Sequence, residues 1–76
     1  MALDVKFKIV KQLATLSERD TSKWKKELNI VEWSNNGAKY DIREWNPEHD
    51  RCGKGVTLSQ DELKALYLYL KDYFAE

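Results

Sequence analysis

The stretch K-Y-D-I-R-E-W, residues 39–45, alternates along its whole length. A period of two marks a strand, because successive side chains leave opposite faces. One face carries Tyr40, Ile42 and Glu44. The other carries Lys39, Asp41, Arg43 and Trp45, so a large aromatic closes the charged row. Asn46-Pro47 ends the run, since proline offers no N–H to a ladder.

Working outward, W-K-K-E-L-N-I-V-E-W at 24–33 is a second strand. Trp24, Leu28 and Ile30 share one face; Asn29, Val31 and Trp33 share the other. The S-N-N-G between the two runs, at 34–37, is a hairpin signal, because Asn and Gly tolerate the positive φ of tight turns. Further upstream, residues 5–16 form an earlier run. Val5, Phe7 and Ile9 alternate with Lys6 and Lys8, but Val10, Ala14 and Leu16 fall on the opposite parity. Such a phase shift predicts a bend or bulge in a long strand. A polar loop at 17–23 follows it.

Downstream, E-H-D-R-C-G is a loop, and K-G-V-T-L at 54–58 is a fourth strand with Val56 and Leu58 on one face. Ser59-Gln60-Asp61-Glu62 is a capping box, in which the Ser59 hydroxyl and the Glu62 carboxylate satisfy each other's backbone amides. Leu63, Leu66, Tyr67, Leu70 and Phe74 then make one helical stripe, flanked by Tyr69 and Tyr73. The order β-β-β-β-α predicts an α+β fold: one domain over residues 1–76, a four-stranded antiparallel curved sheet with a C-terminal helix covering one face. The stripe is wide for one small sheet, so a helix from a second copy would use the surplus and give a homodimer.

Composition bounds the chemistry. The 76 residues suit one small domain, which buries only about 60% of its unfolded surface. Lys+Arg and Asp+Glu are both 13, so a basic site requires charge to segregate onto one face. The single Cys52 makes no internal disulfide, and the first residues show no apolar run of signal or membrane length. The expectation is a soluble, cytoplasmic protein, or a nuclear one where the source has a nucleus. With one His and one Cys, most enzyme schemes lack parts, so no catalytic residues, metal or cofactor are expected. His49 and Cys52 read as residues of a solvated loop rather than as a zinc site.

The informative pair is Trp33 and Trp45. Leu28, Ile30 and Ile42 mark the expected inner phase, and both tryptophans are out of phase with it. The turn sets their strands side by side, so both fall on the outer face. They stand about six residues apart along the ladder, on the order of 20 Å. Lys25, Lys39 and Arg43 share that face, while Asp41, Glu27 and Glu44 oppose them. Exposed aromatics interleaved with cations suit single-stranded nucleic acid, where bases stack on rings and phosphates meet cations. The plainer alternative is that this face packs on another element. Lys6, Lys8, Lys11 and Lys26 read as a solvated face or as an extension of a basic groove. Lys54, between Gly53 and Gly55, lies where backbone can approach a phosphate, though the P-loop spacing is absent.

Taken together, Y-D-I-R-E-W, then G-K-G-V-T-L-S and an acidic helix start resemble the transcriptional positive-cofactor-four family. The closer likeness is to its small bacterial YdbC-like members, in W-K-K-E-L-N-I-V-E-W, K-Y-D-I-R-E-W-N-P-E-H and G-K-G-V-T-L. It runs from about Phe7 into the helix. The resemblance implies a homodimer whose curved strands cradle single-stranded DNA with little sequence preference, acting in transcription or in DNA replication and repair. It implies stacking on Trp33 and Trp45 and a basic groove at Lys26, Arg43 and Lys54, to which face and spacing add Lys25 and Lys39. The Ser- and Lys-rich tail that precedes the domain in human-type members has no counterpart before residue 7. A protein-interaction dimer with aromatic hot spots, or RNA binding, is the alternative function.

Overall fold

A computed structural model of the chain describes residues 6–34 and 37–75. Asn35 and Asn36 of the expected turn, and Val5 of the first run, lie outside the described residues. Four strands, β1 (Phe7–Glu18), β2 (Lys25–Trp33), β3 (Ala38–Trp45) and β4 (Cys52–Leu58), precede one helix, α1 (Gln60–Phe74). The strands form one antiparallel sheet in chain order. Gly37, at φ 85°, leads into β3.

The phase shift in the first run has a precise structural origin. β1 spends 12 residues against the 9 of β2. The three extra residues are Val10, Leu13 and Leu16, each skipped at a register shift. An extra residue on one strand bends it and increases its twist, and three of them at three-residue intervals curl the sheet. A further shift at the β3–β4 end, where Arg43 pairs with Gly55 but Trp45 with Cys52, adds to the curl. Gly55 has a separate cause. A Cβ there would run into Arg43 Cβ and the Ile42 carbonyl, so glycine lets β4 approach β3. Gly53 has open space beside it.

Curling reverses the expected inner and outer faces. Val31, Asn29, Asp41 and Trp45 are at most 1% exposed, and Glu27 is also buried. Leu28, Ile30 and Ile42, expected inside, are only half-buried. The charged face has become the concave one, where side chains of neighbouring rungs converge and shield each other.

The helix begins as its sequence dictates. Ser59 Oγ accepts from the Glu62 amide at 3.1 Å, and the Ser59 amide donates to Glu62 Oε1 at 2.8 Å. It does not cover the sheet, however. None of its residues is buried; Leu63 is half-buried, while Leu66, Tyr67, Leu70, Tyr73 and Phe74 are exposed. The radius of gyration is 13.7 Å, against about 11 Å for a compact chain of this length. Among the described residues the helix packs mainly against β3 and β4 and leaves its apolar stripe exposed. No helix among the described residues is long and apolar enough to cross a membrane.

Candidate nucleic-acid interface

The concave face is organised by the β2–β3 register. Lys25 opposes Trp45, Glu27 opposes Arg43, Asn29 opposes Asp41 and Val31 opposes Lys39. Trp33 ends the same face of β2, opposite Phe7 of β1. The two tryptophans therefore occupy opposite ends of the ladder. Yet their rings meet, with centroids 6.3 Å apart and planes within 16°. Phe7 joins both, at 5.7 Å from Trp33 and 5.1 Å from Trp45. The register sets them eight residues apart, about 26 Å on a flat ladder and more than the expected spacing on the order of 20 Å; the curl brings the ends together over the middle rungs. The expected exposure fails for the same reason: Trp45 is buried and Trp33 half-buried.

Arg43 sits at the centre of the charged groups. Its Nε and Nη2 donate to Asp41 Oδ1 and Oδ2 at 2.7 and 2.8 Å, a bidentate pair on a fully buried carboxylate. Its Nη1 donates to the Gly53 carbonyl at 3.4 Å. Its guanidinium lies 4.6 Å from the Trp33 centroid, a cation–π arrangement. Burial opposes the charge. The hydrogen bonds and negative charge of Asp41, with a smaller contribution from Cys52, outweigh it, so the arginine pKa is raised. Arg43 was expected as a free phosphate partner; most of its donors are committed within the protein, and it props Trp33.

The acids that opposed a basic groove are likewise engaged. Asp41 also accepts from Thr57 Oγ1 at 3.1 Å, and Glu44 pairs with Arg19. Glu27 accepts from Asn29 Nδ2 at 2.9 Å and lies 3.0 Å from His49 Nε2. His49 is thus no solvated loop residue. Its backbone takes φ 61°, and its ring stacks on Trp45 at 5.9 Å. Asn46 builds the loop that carries it, accepting the His49 amide on its carbonyl and the Arg51 amide on Oδ1. Among the described residues, Lys25, Lys26, Lys39 and Lys54 join no ion pair. Lys25 and Lys39 face the groove. Strand alternation sets Lys26 with Leu28 and Ile30, and Lys54 lies at the β4 register shift. Among the described residues no group of three or more His, Cys, Asp or Glu is arranged to hold a metal.

Among the described residues, three buried side-chain atoms have no hydrogen-bond partner: Asn29 Oδ1, Trp33 Nε1 and Trp45 Nε1. All belong to this face. Sequence reading passed over Phe7, Asn29 and His49 in assembling it. Phe7 was legible as an apolar residue in phase with its own strand, but its reach to Trp45 depends on the curl.

Residues 21–67 match the model of the family described as Transcriptional Coactivator p15 (PC4). The chain belongs to that family. Its members are nucleic-acid-binding proteins of transcription, and the match spans β2, β3, β4 and the first half of α1, and so takes in Trp33 and Trp45 but not Phe7. A protein of Treponema pallidum, itself uncharacterised, is 38% identical over 63 residues, covering 83% of this chain and 73% of its own length.

Proposed function

We propose that the protein is a non-enzymatic single-stranded DNA-binding protein with little overall sequence preference, acting as a homodimer in transcription or in DNA replication and repair. One observation carries the reading: Trp33 and Trp45 stack on the concave face of a sheet in a chain of a nucleic-acid-binding family. Flat rings offer unpaired bases a platform that duplex DNA, with its bases already stacked, cannot use. Phosphates would meet Lys25, Lys39 and Lys54, with Lys26 at the groove margin. Arg43 holds Trp33 in place and keeps some N–H groups for an anion. The exposed stripe of α1 is the surface through which two copies would pair, placing two grooves in one assembly.

The test is a tryptophan fluorescence titration with oligo(dT), the matching duplex and oligo(U). Quenching that saturates with oligo(dT) and is at least tenfold weaker with duplex is expected. Equal binding to duplex, or no quenching by oligo(dT), would overturn the single-strand reading. Preference for oligo(U) would turn it to RNA.

A further inference from the structure

We propose that Asn29 is a specificity-determining residue: its Oδ1 accepts a hydrogen bond from the exocyclic amino group of a base held between Trp33 and Trp45. The groove would then favour amino-bearing bases over thymine at that one position. This rests on the stacking reading above.

Position comes first. Asn29 lies four residues from Trp33 along β2, and four from Lys25, the cross-strand partner of Trp45. It therefore marks the midpoint between the two rings, on their face. The residues at that midpoint, Asn29 and Asp41, are fully buried, as expected where the rings close over the floor of the groove. For a base to enter between the rings, whose centroids stand 6.3 Å apart, they must part and Phe7, packed against both, must move aside.

Unused hydrogen-bonding capacity comes second. Buried polar atoms nearly always have partners, so an orphan requires an explanation. The floor of the groove holds four polar side chains, and three are occupied. Both oxygens of Asp41 accept from Arg43. Glu27 faces His49 and Asn29. Arg43 is spent largely on Asp41 and Gly53. Among the described residues of the floor, the Asn29 carbonyl oxygen stands without a donor, and its orientation is fixed, because the amide nitrogen of the same side chain donates to Glu27. The other orphans, the two indole N–H groups, belong to the rings on either side. The unused capacity of these buried side chains thus lies on the face that the two rings occupy.

Chemistry then selects the base. Cytosine, adenine and guanine each carry an amino group on the edge that pairs with another base. Thymine presents there a single N–H flanked by two carbonyl oxygens. Those oxygens would face the Asn29 oxygen and the Glu27 carboxylate, acceptor against acceptor. Cytosine and thymine are the clean comparison, because their rings are alike in size and differ at this edge.

The experiment titrates the full chain with oligo(dT) and with the same length alternating dT and dC, at pH 8 and fixed salt. The mixed strand should bind roughly fivefold tighter, the value of one neutral hydrogen bond. The advantage should vanish in Asn29→Ala. It should also vanish on wild-type protein when each cytosine is replaced by 2-pyrimidinone, which lacks the amino group, so the test does not depend on a variant folding. Equal affinity of the two strands for wild type, or an advantage that survives loss of the amino group, overturns the proposal. Failure of every strand to bind would instead overturn the stacking reading itself.

Discussion

Trp33 and Trp45 stack on one another from opposite ends of the β2–β3 ladder. Neither side chain could reach the other across a flat sheet. Their contact therefore reports the curvature of the sheet, and couples that curvature to the groove in which they lie.

Trp45 is packed in the aromatic cluster and, in the proposed reading, also stacks a base; substitution separates the two. Trp45→Ala empties a buried site and should cost about 3–5 kcal/mol in urea denaturation. Trp45→Phe keeps most of the volume. It should leave the unfolding midpoint closer to wild type while weakening oligonucleotide binding several-fold in the fluorescence titration.

The Asp41–Arg43 pair supports Trp33. Asp41→Ala leaves a half-buried guanidinium without its carboxylate and should destabilise the chain by about 3 kcal/mol. Far-UV circular dichroism against denaturant measures this. Trp33 emission should shift to the red as its cation–π partner loosens.

Lysines free of internal partners should set the salt dependence. The slope of log K against log salt should be about −0.7 per neutralised phosphate. Lys25→Ala, Lys39→Ala and Lys54→Ala should each make it shallower by that amount, measured from 50 to 300 mM salt. A slope unchanged in all three would place the phosphates elsewhere.

The helix stripe should govern assembly rather than folding. Sedimentation at micromolar concentration should give twice the 9.0 kDa chain mass. Leu66→Glu with Leu70→Glu should reduce it to one chain, because both side chains are exposed on the single copy. Helical circular dichroism should persist in the monomer.

Much of the fold was legible. Alternation located β2 and β3, the S-N-N-G signal fixed their pairing, and Ser59 with Glu62 marked the helix start to the residue. The phase shift after Ile9 announced a bulge, though not that Leu13 and Leu16 repeat it. Both tryptophans were legible as out of phase with Leu28 and Ile42. What parity cannot carry is curvature. It assigns side chains to faces without saying which face is concave, so it set the charged row outside and the rings far apart. The same gap hid His49, whose loop reaches Trp45 only because Asn46 folds it back. The engagement of Arg43 with Asp41 was available, since residues two apart on a strand share a face, but a cation beside a tryptophan read more readily as a phosphate ligand.

The three skipped residues of β1 have a consequence for solubility. β1 is a 12-residue edge strand, and Val10, Leu13 and Leu16 are exposed on it. A straight edge of that length and apolarity would template further strands and seed polymers. Here each apolar residue stands where the ladder breaks, so a neighbouring chain meets no more than three successive residues in regular register. The irregularity that bends the groove also denies aggregation its template.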